Sequence, residues 1–140
     1  MSRKSAKIQA IIEEFQNSTF DPHYLAYFAC FNRQLFYEAH DVLEEMWLPQ
    51  RKGPNGSFYK GLIQLAGAFV HLQKQRLKPS AALLKLAQTN LQPYPAGHEG
   101  IKTLHILELI NHWLQLLERG AFQSNPLNDR SAPRLNFPER

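Results

Sequence analysis

The chain has 140 residues, 44% of them hydrophobic and 20% charged, with a formal net charge of +4 and one cysteine, Cys30. A chain of this length buries roughly 68–70% of its unfolded surface, and its composition excludes a disordered or fibrous polymer. A single cysteine excludes an internal disulfide and a zinc knuckle, and no apolar run approaches the roughly 18 residues of a membrane span. The basic start, Met1 to Lys7, is followed by an amphipathic segment and not by an apolar signal core, so a cytoplasmic protein without membrane partners is expected. The remaining positive charge is dispersed, as Arg51-Lys52, Lys74-Arg76-Lys78 and Arg130, Arg134 and Arg140. Aromatic residues do not interleave with it as they do in a nucleic-acid platform. Ordinary solubility charge explains it better than a nucleic-acid partner.

In chain order, Ile8, Ile11, Ile12 and Phe15 give the i, i+3, i+4, i+7 spacing of an amphipathic helix over residues 5–17. Asp21-Pro22 reads as an N-cap and a first helical proline, opening a second helix over 22–31. Cys30, between Ala29 and Phe31, is expected to be a buried, inert thiol. After a break at Asn32-Arg33-Gln34, a third helix runs from Leu35 to Leu48 and stops at Pro49. Pro49 to Gly56 is a proline- and glycine-bearing loop, and Ser57 is placed to cap a fourth helix over 58–76. Pro79 opens a fifth helix over 79–91, Gln92 to Gly100 is a second loop, and a sixth helix over 101–119 ends at Gly120 as its C′ residue. The sequence shows no strand pattern. Short loops between amphipathic helices predict an all-α fold, a compact antiparallel bundle of five to six helices over residues 1–120. Residues 121–140 read as an extended tail pinned by Leu135 and Phe137. Spare apolar surface on the first two helices leaves room for a homodimer.

Three polar sets have spacing that chemistry could use. On the third helix, Phe36, Ala39, Val42, Leu43, Met46 and Trp47 form an apolar arc, with Glu38, Asp41 and Glu45 opposite. His40 falls inside that arc, and Glu44 lies at its edge one turn on, close enough for the two side chains to meet. A histidine and a carboxylate brought inside need partners, which a metal or a hydrogen-bond network would supply. On the fourth helix, Gly61, Gln64, Ala68 and His71 form a stripe of small and polar residues, with Gly67 nearby. That stripe either receives a neighbouring helix, in which case Gln64 and His71 could face His40 and Glu44, or looks onto water. On the sixth helix His105, Glu108 and His112 share the wet face and are expected to be solvent-exposed. There is no phosphate-binding glycine loop, no nucleophile elbow and no H-E-x-x-H motif.

The run Phe36-Tyr37-Glu38-Ala39-His40-Asp41-Val42-Leu43-Glu44-Glu45-Met46-Trp47 resembles the signature of a small helical family, domain-of-unknown-function family 309. So does Tyr59-Lys60-Gly61-Leu62-Ile63-Gln64-Leu65-Ala66, followed by His71. The resemblance implies an all-helical fold and marks Glu38, His40, Glu44, Trp47, Gly61, Gln64 and His71. Some members are labelled predicted metal-dependent hydrolases, which implies a divalent metal such as zinc, manganese or iron. In that reading His40, Glu44 and His71 are the ligands, and Glu38 or Glu44 is the catalytic candidate. The competing reading is a non-enzymatic module for a small molecule or a protein, in which His40, Glu44, Gln64 and His71 form a polar cluster between helices three and four. There Tyr37 and Trp47 wall a groove or pack the core, and Gly61 allows close helix approach. A third reading, a nucleic-acid-associated protein using its basic loops, is the least supported.

Overall fold

The structure, a computed structural model, describes residues 6–139. The basic opening residues up to Ser5 and the final Arg140 lie outside the described residues. The helices are α1 (Ala6–Glu13), α2 (Pro22–Asn32), α3 (Phe36–Trp47), α4 (Gly56–Gln73), α5 (Leu77–Leu91) and α6 (Thr103–Arg119). The fold is an all-α bundle, as expected. None of the described helices is long and apolar enough to cross a membrane.

Local chemistry accounts for the start of α2. The Asp21 carboxylate accepts from the His23 amide at 2.8 Å, and Pro22 follows at the first helical position. From Tyr24 to Phe31 every residue of α2 is buried. A helix that is apolar all round belongs at the centre, and α2 packs against α1 and α3. The Tyr27 hydroxyl donates to the Leu62 carbonyl at 2.6 Å, joining α2 to α4. One continuous apolar core extends from Ile8 to Leu135. At its middle, Phe31, Phe36, Phe69 and Trp113 form a ring chain with centroid separations of 4.9, 5.2 and 4.9 Å.

Several expectations are corrected. Helix α1 stops at Glu13, and the residues to Asn17 are turns. Pro49 ends α3, but the chain continues as a short 3-10 turn, Leu48–Gln50. Ser57 does not cap α4. The helix begins at Gly56 with Asn55 in the cap position, and the Asn55 side chain turns to His98 instead, 2.7 Å away. Helix α5 begins at Leu77, so Pro79 sits inside the first turn, where a missing N–H has no intrahelical partner to lose. The loop before α6 contains a small antiparallel hairpin, β1 (Gly97–His98) and β2 (Ile101–Lys102). Its two turn residues, Glu99 and Gly100, have φ of +47° and +77°, the left-handed pair of a tight hairpin turn. Gly120 has an ordinary φ of −81°, and the left-handed residues that end α6 are Ala121 and Phe122.

The tail lies along the bundle. Leu135 is buried, and the Asn32 side chain grips its backbone twice, donating to the carbonyl at 2.8 Å and accepting from the amide at 2.7 Å. Phe137 packs beside Phe15 and Phe28, and the Glu139 amide donates to the Gly100 carbonyl at 2.9 Å. Leu135 and Phe137 thus act as the expected pins, with Asn32 as an anchor that its sequence context does not reveal.

Candidate functional site: a polar seam across the fourth helix

Helix α4 packs against α3 on one side and α5 on the other. Gly67 marks where the three meet. A Cβ there would lie 3.1 Å from a Leu83 methyl on α5 and 3.7 Å from the His40 ring on α3. His40, half-buried on the apolar arc of α3, therefore rests against α4 at the glycine. Glu44 on α3, Gln64 and His71 on α4, and Leu83 and Asn90 on α5 are half-buried like His40. Glu44 lies one helical turn from His40, and Gln64 and His71 lie one turn to either side of Gly67, so by register these positions run as a seam across the three helices, joined at Gly67 and at the Gln64–Asn90 bond.

The small-residue stripe of α4 does not face α3 as a unit. At Gly61 an added Cβ would meet Leu91 at 2.7 Å and the Ala87 carbonyl at 3.3 Å, so this glycine permits the close crossing with α5. Gln64 also turns to α5, where it accepts from the Asn90 amide at 2.7 Å. Asn90 escapes the motif reading, although its position continues the Leu83–Ala87 stripe of α5, where a polar residue needs a partner. The remaining candidates fall in distinct places. Tyr37 is 61% exposed and loosely stacked on His40, with centroids 6.5 Å apart and planes 12° from parallel. It walls the outer edge of the seam. Trp47 is a structural clamp: its indole N–H donates to the Gly56 carbonyl at 2.9 Å, and Lys60 sits over its ring. Glu38 lies toward α2, where its charge and, above all, burial push the Cys30 thiol up to about 11. That thiol is fully buried and protonated, as expected of an inert cysteine. His105, Glu108 and His112 are exposed, also as expected.

His71 is the most informative member. Its Nδ1 is buried and makes no hydrogen bond. Burial, reinforced by the charges of Arg76 and Lys74, holds its imidazole below the usual histidine range. The ring is therefore neutral at pH 7, one turn beyond Gly67 on the same helix. A histidine with a depressed folded-state pKa makes stability fall with acid, because the unfolded chain takes up the proton more readily. The loss begins near the unfolded value of about 6.5 and continues as pH falls through the folded one. NMR titration should place the His71 midpoint below that of free histidine, and His71→Gln should flatten the acid-side loss of stability. A normal midpoint would mean that the ring is solvated.

Residues 24–91 match the family model described as Domain of unknown function (DUF309). The matched segment spans nearly all of α2 through the end of α5, and thus the whole seam. The resemblance read from the two sequence blocks is upheld there. α1, the hairpin, α6 and the tail lie outside the match. No curated protein and no solved structure matches the chain. The hydrolase label carried by that resemblance requires a set of metal donors. Among the described residues, no three His, Cys, Asp or Glu side chains come together as a group able to hold a metal ion.

Proposed function

We propose that this chain is a non-catalytic helical module whose α3–α4–α5 seam holds a small polar ligand. The observation that carries the reading is the buried, unpartnered Nδ1 of the neutral His71, one helical turn from the glycine on which His40 rests. A buried polar atom without a partner costs about 1–3 kcal/mol, and a ligand hydrogen bond would remove that cost. By helical register the same seam carries a second imidazole, the Glu44 carboxylate and the Gln64–Asn90 amide pair, all half-buried. Hydrogen-bonding groups fixed on well-packed helices suit recognition by geometry.

Gly67→Ala tests this with little disturbance. The methyl meets only the far end of Leu83 and makes ordinary contact with His40, and alanine favours the helix by about 1 kcal/mol. The variant should retain or gain stability. In an amide-detected NMR screen of small polar compounds, wild-type hits should perturb residues near 40, 64, 71 and 90, and Gly67→Ala should weaken them at least tenfold. Hits indifferent to Gly67→Ala, or none at all, would leave the seam as packing alone. Elemental analysis of tag-free protein addresses the hydrolase alternative. Stoichiometric zinc, manganese or iron, lost in His40→Ala, would overturn the non-catalytic reading.

A further inference from the structure

A cavity of about 480 Å³ lies between the start of α6 and the tail, away from the seam. Its size is within the roughly 300–1,000 Å³ of small-molecule sites. Part of the wall is apolar: Phe28, Ile106 and Leu109 line it, and so does Phe137, which remains 40% exposed in spite of its contacts with two other rings. The rim is cationic. Lys102 and Arg134 line it from opposite chain segments, and among the described residues neither is in an ion pair or a side-chain hydrogen bond. His105 adds an imidazole ring, and Glu139 is the one carboxylate of the lining among the described residues. The first turn of α6 has no acidic residue and no side-chain cap, so the partial positive charge of the helix start adds to the two cations.

A pocket that joins an apolar patch to two cations and one carboxylate has a definite complement. We propose that this cavity binds a small amphiphilic carboxylate, its hydrocarbon body against Phe28, Leu109 and Phe137 and its head between Lys102 and Arg134. Apart from Phe28, every lining residue lies beyond the segment that matches the domain of unknown function, so the site belongs to the part of the chain that surrounds that segment.

Octanoate, with octanol as its neutral counterpart, is the test. Titrated into the full chain and followed by amide NMR, octanoate should perturb residues 101–109 and 134–139, and octanol should bind at least tenfold more weakly. Lys102→Gln and Arg134→Gln change exposed side chains and should each lower octanoate affinity several-fold, more at low salt than at high. Leu109→Trp should block both compounds. No octanoate binding at millimolar concentration, perturbations confined elsewhere, or equal binding of octanol would each overturn the proposal. The octanoate–octanol comparison on the wild-type chain decides the matter even if a variant fails to fold.

Discussion

Replacing Phe69 with alanine is expected to lower the free energy of unfolding by about 3–5 kcal/mol. Phe69 is fully buried and lies 5.7 Å from Phe31, 5.2 Å from Phe36 and 4.9 Å from Trp113, measured between ring centroids. Those partners come from α2, α3 and α6, so the α4 ring is where four helices share one contact. Truncation removes the transfer free energy of the side chain and leaves a void that rigid aromatic neighbours cannot close. It also removes edge-to-face and stacked ring pairs, each contributing about 0.5–1.5 kcal/mol beyond area burial. Urea unfolding would show the loss as a lower midpoint. Phe69→Leu keeps most of the volume and should cost clearly less. A small effect of the alanine variant would mean that the helices collapse around the site, and that the ring chain is not what fixes their spacing.

The second large effect concerns a glycine for which the usual helix rule reverses. Gly56→Ala should destabilise by about 1–3 kcal/mol, although alanine normally gains up to about 1 kcal/mol over glycine within a helix. A Cβ at Gly56 would run into the Arg51 carbonyl, with the carbonyl carbon 2.7 Å away. Both atoms are backbone, so no side chain can move aside. The Gly56 carbonyl also receives the Trp47 indole, which fixes this junction from the α3 side. Gly67, eleven positions on in the same helix, meets only side-chain atoms and is the natural control. Thermal melts of the two alanine variants should move in opposite directions. Equal behaviour would show that the α3–α4 turn has slack.

Helix number, order and buried faces are legible in the sequence because each rests on a local signal. The spacing of Ile8, Ile11 and Ile12, the Asp21-Pro22 pair and the proline at 49 each act within one turn of chain. The partner of each face is not local. The wheel of α4 groups Gly61, Gln64 and His71, but it does not say whether α3 or α5 covers them, and the structure turns Gly61 and Gln64 to α5. Asn90 and Asn32 are ordinary polar residues until a distant segment arrives. The hairpin is hidden because two-residue strands are too short to show alternation. Gly120 suggests a left-handed stop, yet hydrogen bonding from the Phe122 amide to Leu117 closes the helix with Ala121 and Phe122 in that region.

The grip of Asn32 on Leu135 spans 103 positions of chain. Before the bundle exists, bringing those residues together means closing a long, floppy loop against its entropy. Once α2 and α6 are packed, the search is confined to the short stretch after Arg119, with its far end already delivered to the right face. Docking of the tail is therefore entropically cheapest after the helices have packed, and the cavity beneath it is complete only once the tail is in place. A compound held between α6 and the tail would bind only the fully docked chain, and its binding free energy would therefore add to the stability of that state.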